Sequence, residues 1–107
     1  MRRYLLMSVI FVFGITVAHA SVFKGQRFYM KLCKKCHKSG GKLTLSHSQE
    51  EWNEFFEKDA KKLIEVHKNN NEAMKELNSS KFKKNQKHIK HFFLKYAKDS
   101  GNVPACN

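Results

Sequence analysis

Cys33-Lys34-Lys35-Cys36-His37 is the most informative stretch of this 107-residue chain. A Cys-x-x-Cys-His run is the attachment pattern for c-type haem. About one helical turn separates the two thiols, so both can reach the two vinyl groups on one edge of a porphyrin. The histidine follows at once, and its imidazole can approach the iron from one face. The stretch therefore predicts one covalent haem held by Cys33 and Cys36, with His37 as the proximal iron ligand.

Other uses of the cysteines stay open at the level of sequence. A thioredoxin-like redox pair needs a βαβ context, and no strand-like alternating run precedes Cys33. A zinc site would need a second ligand pair, and the third cysteine, Cys106, is far away in the sequence. A disulfide between Cys33 and Cys36 would close a very small loop and add little stability. An exported dithiol protein without haem is therefore one alternative, and Cys106 is expected to be a free thiol or to form an intermolecular bridge.

Residues 1–20 have the pattern of a secretory signal peptide. Two arginines follow Met1, residues 4–17 are mostly apolar, and Ala18-His19-Ala20 is an A-x-A cleavage site. The apolar run is shorter than the roughly 20 residues that a membrane span needs. We therefore expect cleavage after this site, export to the periplasm, and one haem domain over residues 21–107.

The chain is strongly basic. It has 21 lysines and arginines against 9 acidic residues, and removal of residues 1–20 leaves 19 basic residues and a net charge near +10. An exported protein rarely meets nucleic acid, so this charge favours steering toward an acidic or membrane-bound redox partner. A lysine-rich surface without a specific partner is the other interpretation.

Apolar periodicity predicts an all-α fold in which three to four helices wrap around the haem. A domain this small buries only a modest hydrophobic core and often needs an additional stabilising element, such as a disulfide or a cofactor. The covalent haem would provide that stabilisation. The first helix should cover residues 24–35, where Phe28, Tyr29, Leu32 and both cysteines recur at steps of three and four. Ser39-Gly40-Gly41 then predicts a loop, with Leu43 and Leu45 buried near the macrocycle edge.

Three helical segments are predicted after this loop, over residues 48–67, 71–77 and 84–99. The first of them begins at Ser48, because Glu51 three residues later completes a capping box. The expected apolar walls of the haem site are formed by Phe28, Trp52, Phe55, Phe92 and Phe93.

Gly25-x-x-Phe28-Tyr29-x-x-x-Cys33-x-x-Cys36-His37, together with Trp52 in the middle helix, resembles the small class I cytochromes c of bacterial periplasms. The C-terminal residues from Tyr96 to Pro104 are similar to the corresponding residues of a subset of small cytochromes from epsilon-type proteobacteria. The resemblance implies a monomeric carrier of one electron between protein partners, with no small-molecule substrate and no enzymatic step. It also implies that Gly25 packs against an aromatic residue of the last helix, for which Phe92, Phe93 and Tyr96 are candidates.

The resemblance has one departure beside the motif. The family usually has a proline soon after the attachment histidine, and its carbonyl orients that histidine. The first proline here is Pro104. The orienting partner of His37 is therefore left open, although such partners tune a metal centre.

The ligand on the second face of the iron is not fixed by the sequence. Met30 and Met74 are the methionines that remain after cleavage, and Met30 lies in the attachment helix. The resemblance places the thioether ligand at Met74, and histidine–methionine ligation suits electron transfer. His67, at the end of an apolar helical stripe, is the alternative ligand. If neither residue reached the iron, a five-coordinate haem that binds or senses a small ligand would result.

Overall fold

Helices form the regular structure of residues 20–103, the part of the chain that the computed structural model describes. This range contains no strand, which confirms the predicted all-α class, but it holds six helices where the sequence predicts three to four. The predicted signal peptide, apart from its last residue, and Cys106 lie outside the described residues. The helices are α1 (residues 20–32), α2 (Lys34–His37), α3 (Gly40–Thr44), α4 (Gln49–Val66), α5 (Asn71–Leu77) and α6 (Ser80–Lys95).

None of the described helices combines the length and the apolar character that a membrane crossing requires.

The start of α4 agrees with the predicted capping box. Ser48 Oγ accepts a hydrogen bond from the Glu51 N–H at 3.2 Å, and Glu51 Oε1 accepts one from the Ser48 N–H at 3.2 Å. His47 Nδ1 lies 2.9 Å from Glu51 Oε2. The His47 contact and then the two Ser48 hydrogen bonds lower the pKa of the Glu51 carboxyl to about 2. Glu51 is therefore ionised near neutral pH, and a negative charge in the first turn is favoured by the helix dipole.

Four consecutive residues interrupt α4, where the sequence predicts one continuous helix. Glu57 has an extended ψ of 153°, and Lys58, Asp59 and Ala60 have left-handed φ values of 53°, 56° and 60°. The apolar stripe continues across this break, so its spacing gives no sign of it. The break divides α4 into a first part that carries Trp52 and Phe56 and a second part, residues 61–66.

Lys58→Gly should stabilise the protein by about 1 kcal/mol, because left-handed backbone costs a non-glycine residue roughly that much and glycine very little. Lys58 is exposed, so the substitution removes no buried contact. Lys61→Gly, at an exposed and helical position three residues later, is the control and should destabilise by about 1 kcal/mol. Urea unfolding of both variants measures the two changes. A loss of stability in Lys58→Gly would mean that the helix runs through this segment.

The core forms where α4 packs against α6. Its buried side chains are Trp52, Phe56, Ala60, Leu77, Phe82, Ile89, Phe92, Phe93, Ala97 and, from α1, Tyr29. α1 crosses α6 at Gly25. A Cβ atom at this position would overlap the His88 carbonyl oxygen and lie 2.9 Å from Phe92 Cβ. The predicted contact of Gly25 with an aromatic residue of the last helix is thus confirmed, and Phe92 is the residue.

Two serine caps account for two of the errors in the predicted helix boundaries, the start of α3 and the start of α6. Ser39 Oγ accepts a hydrogen bond from the Lys42 N–H at 3.3 Å and starts α3, where a loop was predicted. Ser79 Oγ accepts one from the Phe82 N–H at 3.2 Å, so α6 begins at Ser80 and not at residue 84. Leu43 is half-buried as expected, but Leu45 is 40% exposed and its predicted burial is wrong.

Candidate haem site

A mostly apolar cavity of about 460 Å³ lies beside the core, between the Cys-x-x-Cys-His segment, α4, α5 and α6. Volumes of this order are typical of sites for small molecules and cofactors. Trp52, Phe55 and Phe93 line the cavity, as predicted. Phe28 and Phe92 are not among its lining residues. Phe92 instead packs against Tyr29, with ring centroids 5.7 Å apart, beneath the helix crossing at Gly25.

Cys33, Cys36 and His37 all line this cavity. The chain turns tightly here, because the Cys33 carbonyl accepts hydrogen bonds from the N–H groups of Cys36 at 3.2 Å and His37 at 3.0 Å. Both cysteines are free thiols; Cys33 is half-buried, whereas Cys36 and His37 are exposed. The turn ends at Lys38, whose φ is 56°.

Tyr29 fixes the far end of this turn. Its side chain is 1% exposed, and its hydroxyl donates a hydrogen bond to the Lys38 carbonyl at 3.2 Å. The motif is therefore held at both ends by Tyr29, since the Cys33 N–H also donates to the Tyr29 carbonyl at 2.8 Å. Burial, and next the neighbouring Cys33, raises the pKa of Tyr29 to about 12, so the hydroxyl keeps its proton for this bond.

The Cys33 thiol is held in its protonated form. Burial, followed by the nearby Glu76 and Cys36, raises its pKa to about 12. Reactive cysteines of dithiol oxidoreductases have the opposite property, a pKa lowered by positive charge or a helix N-terminus. The surroundings of Cys33 therefore disfavour thiol–disulfide exchange that starts at this buried thiol.

His67 reaches the same cavity from the end of α4. Its Nε2 lies 3.5 Å from His37 Nε2, and the ring centroids are 5.8 Å apart with planes at 81°. The other ring nitrogen, Nδ1, is 2.6 Å from the Leu63 carbonyl oxygen. A carbonyl only accepts, so Nδ1 carries the proton and donates, which leaves the Nε2 lone pair toward His37.

Partial burial and the proximity of His67 lower the pKa of His37 below its usual value. The neutral imidazole is the form that ligates metals. His37 and His67 thus face each other across a short gap, although 30 residues separate them in sequence.

Met74, the other predicted ligand, does not line the cavity. It is half-buried in α5 and packs against the hydrophobic core. Met30 is 46% exposed on α1 and also lies outside the cavity lining. An ion pair of 3.5 Å between Lys35 Nζ and Glu76 Oε1 joins the motif to α5. The structure thus brings Cys33, Cys36, His37 and His67 together at the cavity and does not bring Met74 to it.

His47 is a cavity residue that the sequence analysis did not select. Its ring contacts Trp52 and Phe55, with centroid distances of 4.7 Å and 5.2 Å, and its Nδ1 is paired with Glu51. Its sequence position could have indicated this location, because His47 directly precedes the N-cap of α4 and the apolar stripe that follows.

The residues around the cavity fit a haem. Nowhere in residues 20–103 do three or more His, Cys, Asp or Glu side chains come together as a ligand set for a metal ion. Haem iron does not need such a set, because the porphyrin supplies four nitrogens and the protein adds one or two axial ligands. The cavity offers an apolar body for the macrocycle, with two thiols and an imidazole in its wall.

Comparison with models of protein families, with curated proteins and with solved structures gives no match to this chain. The interpretation of the site therefore rests on its own residues and geometry.

Proposed function

We propose that this chain is a monohaem c-type cytochrome that carries one electron between redox partners in the periplasm and is not an enzyme. One observation carries the proposal: Cys33, Cys36 and His37 all line the wall of one mostly apolar cavity of about 460 Å³. A Cys-x-x-Cys-His sequence that also borders a cofactor-sized cavity is stronger support than the sequence pattern alone.

The residues of the chain have distinct roles in this proposal. Each cysteine thiol adds across a vinyl group, so that a carbon–sulfur bond forms and the thiol hydrogen passes to the second vinyl carbon. His37 provides the proximal nitrogen ligand. When bound, the haem iron supplies the one-electron chemistry by alternating between its ferrous and ferric states. The walls from Trp52, Phe55 and Phe93 exclude water, and such exclusion tunes a reduction potential.

The excess of lysine supports an acidic partner protein or an anionic membrane surface. Lys34, Lys35 and Lys38 lie in or directly beside the attachment motif and are exposed. Steering between such charges raises association rates at low ionic strength and is screened by salt. Association with a partner is therefore expected to slow as the salt concentration rises.

The dithiol alternative has weaker support than the haem protein. Exchange that starts at Cys33 needs its thiolate, and burial raises the pKa of this thiol to about 12. A five-coordinate haem that binds a small ligand differs from the carrier only at the second iron face, so spectroscopy separates them.

The experiment expresses the full chain in cells that have a c-haem maturation system. We expect the intact mass of the processed chain to include one haem and the band to stain for haem on a denaturing gel. Cys33→Ala/Cys36→Ala should lose all covalent haem, whereas Lys34→Ala, a control within the motif, should keep it. A wild-type mass equal to the bare polypeptide would refute the proposal. A reduced spectrum that changes at once with carbon monoxide would favour the ligand-binding alternative.

A further inference from the structure

The proposed function leaves the second face of the iron unassigned, and the two candidate ligands differ in their position. His67 borders the cavity that holds the attachment motif, whereas Met74 is packed against the core and does not. We infer that His67, and not Met74, is the second axial ligand, so that the site has two imidazoles. This inference rests on the proposed function, because it concerns the same haem.

The distance between the two rings supports this assignment. A metal ion bound by two imidazole nitrogens on opposite sides holds them about 4 Å apart, given bonds of roughly 2.0 to 2.1 Å. His37 Nε2 and His67 Nε2 are 3.5 Å apart. An opening of about half an ångström would therefore bring the two nitrogens to the spacing of a bis-imidazole centre.

The hydrogen bonding of His67 supports it independently. The Leu63 carbonyl, 2.6 Å from Nδ1, holds the proton on that nitrogen and directs the Nε2 lone pair into the cavity. Ligand histidines in metal centres commonly donate their second N–H to a carbonyl in this way, which fixes the ring and raises its basicity. His67 thus already has the tautomer and the anchor that an axial ligand needs.

Reaching the iron with Met74 would require a larger change. Its side chain would have to leave the core packing around Leu77, and α5 is fixed at its start by a hydrogen bond from the Ala73 N–H to Asn70 Oδ1 at 3.0 Å. The Lys35–Glu76 ion pair also ties the end of α5 to the motif segment. His67, in contrast, needs only a small displacement of a half-buried ring at a helix end.

The test compares wild type with His67→Ala and, as the matched control, Met74→Leu, each matured with haem and verified by intact mass. Ferric wild type should be low-spin and lack the weak far-red charge-transfer band of methionine ligation. Its paramagnetic resonance should show the strongly anisotropic signal of imidazoles with nearly perpendicular planes, since the rings meet at 81°. Met74→Leu should be unchanged. Ferric His67→Ala should become high-spin, and added imidazole should restore the low-spin spectrum; the reduced variant should bind carbon monoxide.

Three outcomes would overturn the inference. A far-red band in wild type that Met74→Leu removes would assign the ligand to methionine. A wild-type ferric haem that is already high-spin would show that neither residue ligates. A low-spin spectrum that persists in His67→Ala would exclude His67. Because the thioethers do not involve His67, all variants should keep covalent haem. A wild-type mass without haem would instead refute the proposed function, and the inference with it.

Discussion

Gly25→Ala should lower the free energy of unfolding by about 3 kcal/mol, the upper part of the range for overpacking a tight contact. The added methyl group would overlap the His88 carbonyl oxygen and press on Phe92 Cβ at 2.9 Å. The first obstacle is backbone in the middle of α6, which cannot move aside as the end of a side chain can. Relief would require α1 and α6 to separate, and Tyr29 would then lose contact with Phe92.

Gly40→Ala is the matched control for this prediction. Its new methyl group would meet ring atoms of Tyr29 at 3.0 Å and of Phe92 at 3.3 Å, which are side-chain atoms that can shift by a few tenths of an ångström. We expect a loss of about 1 kcal/mol or less. Urea unfolding followed by circular dichroism measures both variants. Equal stability of Gly25→Ala and wild type would show that α1 does not cross α6 at this residue.

Trp52→Ala should cost about 3 to 5 kcal/mol, the range for removing a large aromatic side chain from a core. Trp52 is 3% exposed and its ring lies 4.5 Å from that of Phe93 between centroids. Its indole N–H donates to the Thr44 carbonyl at 2.9 Å, and Thr44 is fully buried. Trp52→Phe should keep most of the packing but leave that carbonyl without its donor, at a cost of about 1 to 3 kcal/mol.

Phe23→Ala serves as the control for the tryptophan variants, because this aromatic ring is 67% exposed. Its effect should stay within about 0.5 kcal/mol. Denaturant unfolding of all three variants gives the order of the losses, and the haem spectrum shows whether the cavity wall at Trp52 also affects the cofactor. A loss of less than about 1 kcal/mol in Trp52→Ala would place this ring outside the core.

The sequence predicts those parts of the fold that depend on local signals. The capping box at Ser48 and Glu51 gives the start of α4, and the asparagine run after His67 gives its end. Gly25 also indicates a close helix crossing, because a glycine within an amphipathic helix needs a packing reason. The serine caps at Ser39 and Ser79 carry similar local information, but they stand within segments whose glycine, serine and asparagine content favours loops.

The break in α4 and the choice between the two proposed iron ligands depend on tertiary packing. Lys58, Asp59 and Ala60 are ordinary helix residues by propensity, so left-handed backbone at these positions has no sequence signature. His67 and Met74 both stand at plausible sequence distances from the motif. Only the three-dimensional arrangement distinguishes them, because His67 lines the cavity whereas Met74 packs against the core.

The non-helical residues 57–60 let the two parts of α4 follow separate directions, because no regular helix connects them. The part before them carries Trp52, which lies both in the core and on the cavity wall, and the part after them carries Leu63 and leads to His67. Leu63 and Ile64 also pack against the core. A substitution in either part would therefore act on the proposed haem and on the stability of the protein together.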